Sequence, residues 1–314
     1  MTVSRIRLGK SDVEVSVVGI GTWQASGTQW GTDVTDENCV QAIVRSAELG
    51  VNLVDTAEAY GNGHSEEVVG RAVREVGRER VVVATKVHGG HLRYDDVVRA
   101  CDMSLSRLGV KQIDLYQVHW PDPWQQIPLR NTMRAMEKLH EEGKIRAIGV
   151  SNFAVRDLEE ARSVLSHTDI VSNQVRYSIL QRQIEEEVVP YCKRESVTVL
   201  AYSPLAQGAL SGKYTEDSKP SDDVRKGNKL FSDRNMVEVS KVIGVLADVA
   251  SRRGKTIPQV ALNWIISHPG TVPIPGAKRA EQAEENAGAA GWTLSPQEIK
   301  EIDAIYSSIS LDYF

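Results

Sequence analysis

Eight times along this chain a short β-branched run is followed by an amphipathic stretch. That alternation restricts the fold more than any other feature. The runs are "VSVVGIG" (15–21), "VNLVDT" (51–56), "RVVVATK" (80–86), "DLYQVH" (114–119), "IRAIGVS" (145–151), "DIVSNQV" (169–175), "VTVLAYS" (197–203) and "TVPIPG" (271–276). Strands apolar along their length are buried on both faces, as in a parallel sheet covered by helices. Helices are expected over 35–50, 65–77, 94–108, 128–142, 154–165, 184–194, 237–253 and 280–287. Thr35 caps the first, with Asn38 three positions on, and Gly50 stops it. Ser65 is expected to cap the second, with Glu66 and Glu67 in its first turn. Eight strands and eight helices predict an α/β fold, a (β/α)₈ barrel forming a single domain over residues 1–314. The rival is a doubly wound open sheet, which should carry a glycine-rich nucleotide turn after an early strand. "GIGTWQASG" has G-x-G but neither the G-x-G-x-x-G spacing nor an immediate helix.

Some segments fall outside the eightfold pattern. Residues 5–14 read as a hairpin turning at Gly9, Lys10 and Ser11, placed to close the barrel bottom. "TIPQVALNWIISHPG" (256–270) reads as an extra helix with Pro258 in its first turn. Residues 294–308 read as a final helix capped by Ser295. Residues 205–236, rich in Gly, Ser, Lys and Asp, are too long for a plain turn and read as a functional lid or a disordered segment.

The net charge of −5 and the lack of a long basic run argue against a nucleic-acid partner. No apolar run is long enough to cross a bilayer. The first residues have no apolar core of a secretory signal, so a cytoplasmic protein is expected. Cys39, Cys101 and Cys192 lack metal-like spacing and read as reduced, half-buried thiols. No metal is expected; His88, His91, Asp95 and Asp96 could be spaced as ligands, but Asp95 reads more simply as the cap of the next helix.

Barrel enzymes carry their chemistry at the C-terminal ends of the strands. Asp55 ends the second strand, Lys86 the third and His119 the fourth, while Tyr60 follows the second in a turn loosened by Gly61 and Gly63. Singly, Asp55 also reads as a turn cap, Lys86 as a solvated strand end, His119 as a satisfied histidine beside Pro121 and Tyr60 as a packing residue. Together they converge on one rim. A phenol has a pKa of about 10 and is a poor acid at neutral pH. A neighbouring Lys⁺ lowers it, and a carboxylate holds the Lys in place. A neutral His could hold a carbonyl oxygen. This is general-acid machinery for a developing alkoxide, with the hydride left to a cofactor.

The stretch "VDTAEAYGNGHSEEVVG" resembles the signature of the aldo-keto reductase family. So do "VATK", "DLYQVHW", "IGVSNF", "NQVRYS", "AYSPLAQG" and "VPIPGAKRAEQAEENAGA", in order from "VGIGTW" to about residue 288. The resemblance implies a (β/α)₈ barrel that binds NADPH in an extended pose, with NADH as the alternative, and reduces a small-molecule carbonyl substrate. It implies Tyr60 as proton donor, Lys86 as the group lowering its pKa, Asp55 paired with Lys86, and His119 orienting the carbonyl. Ser151, Asn152 and Gln174 would hold the nicotinamide amide and Tyr202 would stack on its ring. The segment Ser203, Pro204, Leu205, Gln207, Gly208, Ser211, Gly212 and Lys213 would cradle the pyrophosphate. Gly276, Lys278, Arg279, Gln282, Glu285 and Asn286 would surround the adenosine end. Gly21, Thr22 and Trp23 would line the rim where nicotinamide meets substrate, and Trp23, Trp30 and Trp120 could wall the substrate pocket.

Many members carry a basic residue directly after "IP" and an arginine six positions later. Here those places hold Gly276 and Gln282, and Lys278 and Arg279 supply the charge instead. Two other classes fit parts of the pattern: a Schiff-base lyase using Lys86, and a cofactor-bound sensor with negligible turnover. The lyase reading leaves Asn152, Gln174 and the adenosine-end motif unexplained.

Overall fold

The computed structural model describes residues 3–27, 30–31, 34–124, 126–215 and 218–313. Strands β1 (Arg5–Arg7) and β2 (Glu14–Ser16) form an antiparallel hairpin. A parallel sheet follows in chain order: β3 (Ile20–Gly21), β4 (Leu53–Asp55), β5 (Val82–Val87), β6 (Ile113–Val118), β7 (Ile145–Ser151), β8 (Ile170–Arg176), β9 (Thr198–Tyr202) and β10 (Thr271–Pro273). Each strand pairs with the next. The first and last meet through a Gly21–Gly276 bridge, with Gly19 N donating to Pro273 O (2.9 Å) and Gly21 N to Pro275 O (3.0 Å). The sheet thus closes into the expected barrel.

Helices α1 (Asp36–Glu48), α2 (His64–Val76), α3 (Tyr94–Leu108), α4 (Leu129–Glu141), α5 (Val155–Val164) and α6 (Val188–Glu195) follow β3 to β8 one by one. After β9 come the single turn α7 (Asp223–Lys226), then α8 (Asp233–Arg253) and α9 (Ile257–Ile266). After β10 come α10 (Ala280–Ala287) and α11 (Pro296–Ser308). Strand period decides which way each side chain points. Val54, Val83, Tyr116 and Ile148 point outward into the layer shared with the helices, beside Ile43, Val69 and Leu108. Leu53, Ala84, Leu115, Ala147 and Leu200 fill the barrel interior.

The hairpin plugs one end of that interior. Leu8, Val13 and Val15 are fully buried within it. Gly9, at φ 55°, lies so close to Val171 that a Cβ would come within 2.5 Å of its carbonyl oxygen. Chemistry is therefore confined to the other end, where β4 to β9 point.

Several expectations are corrected. The run 15–21 is not one strand: its first residues pair in the hairpin and only Ile20 and Gly21 join the barrel. Ser65 does not cap α2. Gly63, at φ 95°, holds the cap position, and the Ser65 hydroxyl lies 2.9 Å from both Thr22 Oγ1 and Thr56 Oγ1. Asp95 does not cap α3, which starts from Arg93 without a side-chain cap. The segment 205–236 carries kinked turns at Ala206–Ser211, α7, a 3₁₀ turn at Lys229–Phe231 and the start of α8. The three thiols are buried rather than half-buried. Among the described residues no helix is long and apolar enough to cross a membrane.

Candidate active site

Beyond the apolar layer, the barrel interior turns polar. Asp55 is 2% exposed and Lys86 0%. The Lys86 ammonium donates to Asp55 Oδ1 (2.6 Å), to the Thr56 carbonyl (2.7 Å) and to the Tyr60 hydroxyl (3.4 Å). The other Asp55 oxygen accepts from Gln174 Nε2 (2.7 Å) and Gln117 Nε2 (3.2 Å). Gln174 reaches this spot from a bulged strand: Ile148 pairs with Ile170 but Gly149 with Ser172, so Val171 is an extra residue in β8. A buried ion pair with every donor engaged is held in one geometry.

Two opposed effects act on Tyr60. Burial pushes its pKa above the ordinary value and the Lys86 charge pulls it down; burial prevails and the net direction is upward. Lys86 thus lowers the Tyr60 value, as the sequence-based reading has it, but burial outweighs it because a buried phenolate is poorly solvated. Lys86 is itself raised, since Asp55 and Tyr60 outweigh its burial. Its bond to the phenol oxygen leaves the Tyr60 O–H free to donate elsewhere.

The His119 ring packs edge-on to Tyr60, with centroids 5.7 Å apart. Burial, then the Lys86 charge, drives its pKa down to about 3, so the imidazole is neutral. Its Nδ1 is buried with no partner among the described residues. Asn152, at φ 63°, donates from Nδ2 to the His119 carbonyl (3.0 Å) and accepts from the Tyr202 hydroxyl (3.0 Å). Ser151 donates to the Gln174 carbonyl (2.8 Å). Helix α5 starts from Ala154, so neither Ser151 nor Asn152 caps it.

A cavity of about 640 Å³ opens above these groups, with Trp120 and Asn286 both in its lining. That is the size of a site for a large organic ligand. Every residue expected to touch cofactor lines it except Gly212, which turns at φ 72° just outside; Trp30 and Trp120 line it too. Trp30 is buried and stacks edge-on to Trp23 at 4.9 Å, whereas Trp120 is half exposed. Tyr60 and His119 also line the cavity, with Asp55, while Lys86 lies beneath the floor. Near its middle, Ser203, Ala206 and Gln207 adopt φ of 51°, 48° and 56°, followed by Gly208 at 99°. Such left-handed backbone is strained in residues other than glycine; the Ala206 and Gly208 N–H groups close it by donating to Ser203 O and Leu205 O, both at 2.8 Å. At the far end Lys278 Nζ donates to the Trp30 carbonyl, and the Lys278 N–H to Gln282 Oε1 (2.7 Å). Arg279 is more exposed, 3.9 Å from Glu281.

Sequence reasoning missed Gln117, although it shares strand parity with His119 and so points inward. It also missed Gln24, Arg176 and Arg225, which line the cavity from the 3₁₀ turn Trp23–Ser26, the end of β8 and α7 and carry no local signal. His91 Nδ1 lies 3.0 Å from Glu58 Oε1, and Asp96 pairs with Arg99.

Comparison with known proteins agrees with this geometry. A model described as the Aldo/keto reductase family matches residues 17–307. The aldo-keto reductase YhdN of Bacillus subtilis is 37% identical over 97% of this chain and 94% of its own length. The NADH-specific methylglyoxal reductase of Escherichia coli is 34% identical over 93% and 95% respectively. An aldo-keto reductase from Klebsiella pneumoniae, solved in complex with NADPH, superposes with a TM-score of 0.79 at 34% identity, covering 99% of each chain. The chain belongs to the aldo/keto reductase family of NAD(P)H-dependent oxidoreductases.

Proposed function

We propose that this chain reduces aldehydes or ketones to alcohols, with NADPH as the preferred hydride donor. The observation that carries the reading is a Tyr60 hydroxyl lying 3.4 Å from the buried Lys86 ammonium beside a neutral His119, at one end of a long cavity. The donor set fits an extended dinucleotide. Asn152, Ser151 and Gln174 bring amide and hydroxyl groups to the cavity that Tyr60 lines, the strained turn after Ser203 would face a diphosphate, and Lys278 and Arg279 add two cations to the lining.

The bound nicotinamide would supply the hydride. The chain's own residues do the rest. His119, neutral and buried, donates from Nε2 to the carbonyl oxygen once Nδ1 carries no proton. Tyr60 gives its proton to that oxygen as negative charge develops there, and Lys86 stabilises the resulting phenolate. Asp55 keeps Lys86 charged and fixed. The same pairing disfavours a Schiff-base lyase, which needs a neutral, mobile amine at Lys86.

Tyr60→Phe should lower carbonyl-dependent NADPH consumption by about 10²–10⁴-fold. NADPH affinity, read by tryptophan fluorescence, should stay within about twofold, because the hydroxyl acts on substrate. Turnover within threefold of wild type across a panel of aldehydes and ketones would remove Tyr60 from the proton-donor role.

A further inference from the structure

Glu58 stands in the turn between Asp55 and Tyr60, is 8% exposed, and has no part in the proposed proton transfer. Its surroundings are specific. Past the end of β4 the chain keeps pairing with β5: Thr56 N donates to Ala84 O (2.8 Å) and Glu58 N to Lys86 O (3.4 Å). The next β5 donor, His88 N–H, finds no backbone carbonyl. It donates instead to Glu58 Oε1. The carboxylate thus stands in for the missing carbonyl.

The same peptide unit that gives Glu58 its N–H holds His119 with its other end. The carbonyl of Val87, bonded to the His88 nitrogen, accepts from His119 N–H at 3.1 Å. One peptide plane therefore lies between the turn that carries Tyr60 and the backbone that carries His119. An acceptor oxygen at the N–H end polarises the plane and strengthens the bond at its carbonyl end. Glu58 is itself fixed: Oε1 lies 3.0 Å from His91 Nδ1 and Oε2 lies 3.8 Å from Arg107, which bonds Glu66 at 2.6 Å.

We infer that Glu58 is a positioning residue that sets the His119 imidazole relative to Tyr60 through the Val87–His88 peptide. The inference rests on the reductase reading for its kinetic consequence but not for its structural one. Two readouts keep the two apart.

The first needs no turnover. In Glu58→Ala, hydrogen exchange of the His119 amide, measured by NMR, should speed up by about tenfold or more, the effect of losing one hydrogen bond in the chain that protects it. Glu58→Gln keeps an acceptor oxygen for His88 N–H, so its exchange should stay within about threefold of wild type. The second readout is kinetic. Glu58→Ala should lose about 10- to 100-fold in kcat, as expected for a misplaced orienting group, with NADPH affinity unchanged. Glu58→Gln should recover most of that loss.

Unchanged His119 exchange in Glu58→Ala overturns the inference whatever the activity. So does a Glu58→Gln variant as impaired as Glu58→Ala, which would make the charge, not the hydrogen bond, the operative feature. Loss of NADPH binding alongside kcat would also overturn it, since the damage would then extend beyond the carbonyl end. A wild-type chain that turns over no carbonyl defeats the reductase reading and leaves the exchange experiment to decide this one.

Discussion

Asp55→Asn tests how the buried ion pair is held. In the native chain one Asp55 oxygen faces the Lys86 ammonium and the other faces two amide donors, Gln117 and Gln174. An asparagine has one acceptor and one donor at those places, so its NH₂ must face either the ammonium or the two amides. Removing one partner of a buried pair costs about 3–5 kcal/mol, most of it the uncompensated charge left behind. The sign with pH follows from Lys86. Its folded-state pKa now lies above its ordinary value of about 10.4. That contribution is complete below the unfolded value and lost only as pH rises through the folded one, so it adds no slope between pH 7 and 9.5. In the variant, burial acts without Asp55 to oppose it, and the folded-state pKa falls below the unfolded value. Stability should then climb with pH by up to about 1.4 kcal/mol per unit, as the folded chain sheds the proton. Denaturant unfolding of both proteins at pH 7, 8, 9 and 9.5 reads this directly. The variant should be less stable by about 3–5 kcal/mol at pH 7, with the gap narrowing toward pH 9.5. A deficit that stays constant over that range would refute the account of Lys86 as a charge kept by Asp55.

Lys86→Met removes the one influence that pulls the Tyr60 pKa down, leaving burial and Asp55 to push it up. The alkaline limb of the alcohol-oxidation profile should move to higher pH and the rate should fall; an unmoved limb would show that Lys86 does not tune the phenol. Lys278→Ala with Arg279→Ala should erase a preference for NADPH over NADH in kcat/KM, since these are the cations at the far end of the cavity. A double variant that keeps the preference would exclude both as readers of the 2′-phosphate.

The barrel was legible because its strands are apolar throughout and its helices repeat between them, which only a covered parallel sheet explains. The rim was legible because Asp55, Lys86 and His119 each end a strand. What escaped were features set by neighbours distant in sequence. Ser65 reads as a cap, yet its hydroxyl is taken by Thr22 and Thr56 from other strands' ends. Run 15–21 reads as one strand, yet the hairpin claims its first half for the floor. The Lys86 effect on Tyr60 was visible in kind, but its size against burial depends on how deeply the ring sits. Glu58 carries no signal of its own in the sequence, because its partner is a backbone N–H just past the end of β5.

The join between β3 and β10 has a mechanical consequence. Pro273 and Pro275 lack N–H groups, so the two hydrogen bonds there run one way, from Gly19 and Gly21. Each is worth about 1 kcal/mol net. Elsewhere, β6 and β7 share five paired positions. Energetically the barrel is less a ring than a rolled sheet with a light clasp. Under load it would open around β3, held to β10 by these two bonds and to β4 by two paired positions, and the two glycines that line the cavity, Gly21 and Gly276, form the lips of the clasp.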